Sequence, residues 1–149
     1  MKVYSAQKQI KLFRTLSLIS GTIILLLGAV FTIAMMSALK DPANFAKEVE
    51  APVNEVSNYA PLGIVFGIAL LFLALFQLLN WFNLGKISKD VTQYKSAYVT
   101  SLLAVVLSLL FLIYLSSQVK AIGLPMLAPL IFNAYIFYLV FIIKRSYTE

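Results

Sequence analysis

Four stretches of this sequence contain no charged side chain, and they constrain its fold more than any other feature. A helix needs about 20 mostly apolar residues, each rising 1.5 Å, to cross the hydrocarbon core of a bilayer. The uncharged stretches hold 25, 30, 24 and 23 residues, so each is long enough. They predict four transmembrane helices, at about residues 16–39, 60–82, 98–118 and 122–143.

Composition supports lipid as the solvent of this chain. Of its 149 residues, 61% are hydrophobic and only 12% are charged, which a soluble domain of this size could not bury. Transmembrane strands would alternate apolar and polar residues, whereas 23–27 and 70–75 are apolar on every side. We therefore expect an all-α integral membrane protein, with residues 1–149 forming a single four-helix transmembrane domain.

The first apolar stretch also follows a basic segment, as the core of a signal peptide does. That core is about 7–15 residues long, and the stretch between Arg14 and Lys40 is much longer. Met36-Ser37-Ala38 is a poor cleavage site. The sequence therefore predicts a retained anchor.

The distribution of lysine and arginine predicts the orientation of the helices. Nine lie in the N-terminal tail, the central loop and the C-terminal tail, and three lie on the opposite side. By the positive-inside rule both termini are cytoplasmic, so the four helices form an antiparallel up-down bundle in the cell membrane. The same charge is expected to attract anionic lipid at the cytoplasmic face. No nucleic-acid partner is expected, because the basic residues are spread over short segments.

The loop at 40–59 is the only substantial external segment. Asp41 and Pro42 are typical of a helix N-cap and first helical position, and they predict a short helix over Ala43–Val49. Phe45, Ala46 and Val49 would form its apolar side. Such a helix would rest on the bilayer or offer a docking surface to an external partner.

The other two connections are shorter. A central basic loop is predicted at 83–97, with Gly85 ending the second helix as a C-cap residue. The connection at Ser117–Gly123 is so tight that helices three and four are expected to be antiparallel neighbours.

The chain has no cysteine and no histidine, and every charged residue lies at or beyond a predicted helix end. The lack of these two residue types excludes thiol and imidazole chemistry. The position of the charges argues against proton-coupled transport, which uses ionisable groups deep in the membrane. We therefore expect no enzyme activity, no catalytic residue, no cofactor site and no metal site.

Mildly polar side chains do lie within the predicted spans. Gln77 and Asn80 fall in the second helix, Ser108 in the third, and Asn133 and Tyr135 in the fourth. Amides at depth prefer partners on other helices, and the hydroxyl of Tyr135 should find a buried partner. These side chains hold the bundle together, line a site for a ligand or quinone-like headgroup, or contact another subunit.

Small residues recur at the spacing of packed membrane helices. Gly63 and Gly67 form a G-x-x-x-G pattern, and Gly21, Gly28 and Ser108 belong to similar stripes on the first and third helices. Small side chains let helix backbones approach closely. Packing within this chain and an interface with another chain both remain open.

Small size and the lack of catalytic residue types favour a non-catalytic accessory or scaffold subunit of a larger membrane complex. Its partner would be another membrane protein or a second copy of the chain. The alternative is an oligomeric channel or transporter for a neutral or apolar small molecule.

Overall fold

The computed structural model describes residues 3–118 and 123–148, and these are almost wholly helical. The helices are α1 (Val3–Lys40), α2 (Pro42–Glu48), α3 (Val53–Lys89), α4 (Tyr94–Gln118) and α5 (Gly123–Thr148). Within the described residues, four of them are long and apolar enough to cross a membrane, namely α1, α3, α4 and α5. The predicted all-α fold with four apolar helices is confirmed, and it indicates a multi-pass membrane protein.

Helices α1 and α3 are much longer than the spans predicted within them. They contain 38 and 37 residues, or about 55 Å each, against about 30 Å for the hydrocarbon core. Both continue past charged residues, as α1 does at Arg14 and α3 at Lys86. Charged side chains end a membrane span, but they do not end a helix, because helix hydrogen bonding is satisfied equally well in water.

The chain divides into two compact units. The larger unit combines the residues up to Gly21 with those from Leu75 onward, and the smaller unit is Thr22–Ala74. The larger unit therefore contains α4, α5 and one segment of each long helix. The smaller unit contains α2 and the remaining segments of α1 and α3.

An aliphatic core with residues from α1, α3, α4 and α5 holds the larger unit together. On one side of this core, the Phe13 ring of α1 lies 5.4 Å from Phe132 and 5.0 Å from Tyr135 of α5, centroid to centroid. Such aromatic pairs add directional contacts to the area that they bury. The core residues are Ala6, Ile10, Leu84, Ile87, Ala97, Ile136, Leu139, Val140 and Ile143.

In the smaller unit, α2 packs back onto the long helices. It begins as predicted, because the carboxylate of Asp41 accepts a hydrogen bond from the backbone N–H of Asn44 at 3.1 Å. Ala46 is buried against Ala38, Val56 and Ala60.

The predicted apolar side of α2 is wrong at Val49, which caps the helix and is 49% exposed. The predicted external loop at 40–59 also contains more helix than expected. Its last seven residues form the start of α3.

The central connection is shorter than the predicted loop at 83–97. Helix α3 continues to Lys89, a single 3-10 turn covers Val91–Gln93, and α4 begins at Tyr94. Gly85 is therefore not a C-cap: it lies inside α3, and no glycine of the described segments has a positive φ. The third predicted loop, at Ser117–Gly123, lies largely outside the described residues, which resume at Gly123.

Candidate functional site

A chain of buried hydrogen bonds joins three helices of the larger unit. The side-chain N–H of Gln77 on α3 donates to Oδ1 of Asn133 on α5 at 2.8 Å. Nδ2 of Asn133 donates to the hydroxyl of Ser108 on α4 at 2.9 Å, and that hydroxyl donates to the carbonyl of Ala104 at 2.7 Å. All three side chains are buried. We call Gln77, Ser108 and Asn133 the amide network.

Asn80 lies one turn from Gln77 and behaves differently. Its side chain is fully buried, yet neither its oxygen nor its nitrogen has a hydrogen-bond partner among the described residues. The hydroxyl of Ser17 and Oε1 of Gln77 are also buried and also lack a hydrogen-bond partner among the described residues. A buried polar atom without a partner costs about 1–3 kcal/mol. This part of the larger unit therefore has unused capacity to donate and accept hydrogen bonds.

The hydroxyl of Tyr135 has a partner on α1. It donates to Oε1 of Gln9 at 2.6 Å, and both side chains are half-buried. The Tyr135 ring also packs on Phe13, at 5.0 Å, and on Tyr138, at 6.1 Å. The geometry makes this tyrosine a link between α1 and α5.

The four predicted packing glycines all lie where α1 and α3 approach each other. At each position, a Cβ would come within about 3 Å of a neighbouring side chain or overlap it, so these faces are already used within the chain. In the larger unit Gly21 lies against Leu78, and in the smaller unit Gly28 lies against Leu70 and Leu71, Gly63 against Met35 and Gly67 against Thr32.

Gly67 is the tightest of these positions. A Cβ there would overlap Oγ1 of Thr32, whose hydroxyl donates to the carbonyl of Gly28 at 2.7 Å. An added methyl group would have to separate the helices or break that hydrogen bond. At Gly21, by contrast, a Cβ would stand 3.0 Å from Cδ2 of Leu78 and 3.1 Å from Cβ of Gln77, so it would crowd these atoms without overlapping them.

We predict that Gly67→Ala lowers the free energy of unfolding by about 1–3 kcal/mol, because overpacking forces a shift. Gly21→Ala should cost less than Gly67→Ala, since no atom there lies closer than 3.0 Å to the added Cβ. Adding Thr32→Ala to Gly67→Ala should restore part of the loss. Denaturant unfolding of the purified protein in detergent measures all three. Equal costs for the two glycine substitutions would contradict the assigned contact.

The amide network predicts a measurable coupling between Gln77 and Asn133. In a double-mutant cycle with Gln77→Leu and Asn133→Leu, we expect a coupling of about 0.5–1.5 kcal/mol, the range for hydrogen bonds between membrane helices. The matched control replaces Gln77→Leu with Asn80→Leu, which removes a buried amide not bonded to Asn133. Its coupling to Asn133→Leu should be close to zero. If Asn80 and Asn133 are coupled as strongly as Gln77 and Asn133, the coupling does not come from the Gln77–Asn133 hydrogen bond.

A second cluster, which was not predicted from the sequence, lies around Arg14 of α1 in the larger unit. The Arg14 guanidinium lies 5.8 Å from the centroid of the Trp81 ring, and the Lys86 ammonium lies 4.6 Å from that of Phe82. Attraction between a cation and an aromatic face fixes such groups in orientation. The signal was present as Trp81, Gly85 and Lys89 at i, i+4 and i+8, but pairing with Arg14 required the tertiary structure.

Comparisons of the chain with protein-family models, curated proteins and solved structures find no match. In the segments that the structure describes, no three acidic side chains come together as a metal site would require.

Proposed function

We propose that the chain forms an antiparallel four-helix bundle in the cell membrane, with both termini in the cytoplasm. The order of contacts supports this arrangement for α1 with α3 and for α4 with α5, since in each pair residue numbers rise along one helix as they fall along the other. On α1 and α3 the pairs are Arg14 with Gly85 and Gly21 with Leu78 in the larger unit, then Gly28 with Leu71 and Met35 with Gly63 in the smaller. On α4 and α5 they are Tyr94 with Tyr147, Tyr98 with Lys144 and Ser108 with Asn133.

Because the natural chain lacks cysteine, single-cysteine variants can test this topology directly. An impermeant maleimide should label Lys47→Cys, at the end of α2, in intact cells. It should label Lys89→Cys, at the end of α3, only after permeabilisation. Labelling of both positions from the same side would contradict the proposed topology.

Within that topology, we propose a non-catalytic accessory or scaffold subunit of a larger membrane complex. The observation that carries the proposal is that α1 is less buried within the chain than the other three spans are. Within the apolar 18-residue segment of each span, 11% of the residues of α1 are buried, against 28% in each of the other three helices. Apolar faces are compatible with lipid, but α1 has the most surface left for a partner helix.

The amide network and the glycine contacts support the same role. They use the polar and small residues of the spans for contacts within the chain, as a structural bundle would. A partner would therefore meet aliphatic side chains of α1 and not the glycine stripe. Leu26, Val30 and Ile33 share one face of α1 and are 62%, 67% and 65% exposed.

Site-specific photo-crosslinking tests this role. Crosslinkers at Leu26 and Val30 should capture another membrane protein in the native membrane. Leu110 and Ile113 of α4 are matched controls, since they are 59% and 58% exposed, and they should give mainly lipid adducts. Equal yields from the two helices, or lipid adducts alone from α1, would contradict a partner on α1.

The buried, unpartnered amide of Asn80 favours one alternative, an oligomeric channel or transporter for a neutral solute. A polar solute passing through could use the hydrogen-bonding capacity that Asn80, Ser17 and Gln77 leave unfilled. The same crosslinks distinguish the two roles. Capture of only a second copy of this chain through α1 supports the alternative, whereas capture of a different protein supports the accessory role.

A further inference from the structure

A cavity of about 340 Å³ opens beside Arg14 at the end of the larger unit. Three basic residues line it, and none of its described lining residues is acidic. The α3 side chains among them recur at helical spacing and so share one face of that helix. The described lining consists of Arg14, Trp81, Phe82, Gly85, Lys86, Lys89 and Gln93.

Gly85 lets the Arg14 side chain lie directly against the backbone of α3. A Cβ at position 85 would stand 2.9 Å from Nε of Arg14 and 3.1 Å from its Cζ. The Trp81 ring, 5.8 Å away, holds the guanidinium from another direction. Nε of Arg14 is buried, and the described part of the chain supplies no acceptor for it. The guanidinium thus lies against α3 and near the Trp81 ring, and its buried Nε–H is not used within the described part of the chain.

The nearest acid in sequence does not complete this site. Asp90 accepts hydrogen bonds from the hydroxyl of Thr92 at 2.7 Å, from the Thr92 backbone N–H at 3.0 Å and from the Gln93 amide at 3.3 Å. These bonds, chiefly that from the Thr92 hydroxyl, hold the pKa of Asp90 below its ordinary value. The carboxylate therefore stays ionised and engaged by its own turn, where it caps the 3-10 segment.

We propose that this cavity binds the phosphate group of an anionic phospholipid, with Arg14 as its principal donor and Lys86 and Lys89 completing its charge. A guanidinium presents paired N–H donors that match phosphate oxygens, and lysine adds point charge. The site gives a specific form to the anionic-lipid attraction expected from the sequence, and it rests on the proposed topology but not on the accessory role. Trp81 and Phe82 favour a lipid over a soluble phosphate, because aromatic rings sit well at the level of lipid headgroups.

Trp81 is the only tryptophan of the chain, so its fluorescence reports on this site alone. The protein is reconstituted in nanodiscs of phosphatidylcholine containing increasing fractions of phosphatidylglycerol, and Trp81 emission is followed. We expect a saturable change with phosphatidylglycerol. Inorganic phosphate added to pure phosphatidylcholine nanodiscs is the second arm. A response to inorganic phosphate as strong as that to phosphatidylglycerol would overturn the lipid assignment in favour of a soluble phosphate.

Two substitutions separate a built site from diffuse positive charge. Gly85→Ala keeps every charge but displaces the guanidinium, and it should weaken phosphatidylglycerol binding about three- to tenfold. Thermal unfolding should change little, because the crowded group is the end of a flexible side chain. Arg14→Gln should weaken binding about tenfold or more.

Lys95→Gln, which removes an exposed basic residue near the start of α4 and outside the cavity, is the matched control and should change binding less than about twofold. If Gly85→Ala has no effect on binding, or Lys95→Gln weakens it as much as Arg14→Gln does, the site is refuted. Maleimide labelling gives an independent readout of the topology. Failure of lipid binding alongside the expected labelling would therefore refute the site and leave the proposed topology standing.

Discussion

Hydrocarbon offers no hydrogen-bonding partner, and this constraint determines how the rest of the chain is built. Every backbone N–H and C=O in a span must bond within its own helix, which is why four apolar stretches become four long helices. The same constraint applies to side chains. The amides of Gln77 and Asn133 and the hydroxyl of Ser108 meet across three helices, because each would otherwise be left with an unfilled polar group. Such a network ties the register of α3, α4 and α5 to a few specific atoms.

Between helices in lipid, burial of apolar surface gives little net gain, so close contact has to replace it. The glycines of α1 and α3 provide that contact, most closely where Gly67 meets Thr32 in the smaller unit. The glycines of α1 and α3 face each other's helices within the chain. The surface of α1 that is left to contact lipid or a partner is therefore aliphatic. A span whose small residues are already used can still meet a partner, but only through side-chain packing. This distinction is why the proposed partner is assigned to the exposed aliphatic face of α1 and not to its glycine stripe.

The sequence was sufficient to predict the four apolar helices and the Asp41 cap of α2, because both depend on local patterns of charge and capping residues. It was insufficient wherever a residue's role depends on a neighbour distant in sequence. Gly85 has the appearance of a helix end beside a basic loop, yet its role is to admit the Arg14 side chain, 71 positions away. Val49 fits the apolar side of α2 by spacing, but the helix ends one residue too early to use it. The partners of Tyr135 and Asn133 likewise follow from tertiary packing.

The basic residues that line the cavity beside Arg14 do more than set an average charge. In the larger unit, two cations on two helices each lie over an aromatic ring: Arg14 over Trp81 and Lys86 over Phe82. An aromatic ring stabilises a cation without neutralising it, so the positive charge remains available to an anion. Pairing with carboxylates would have held these side chains equally well and cancelled their charge. Holding cations with rings gives a rigid and electropositive surface, which is the property that a headgroup site at a membrane boundary requires.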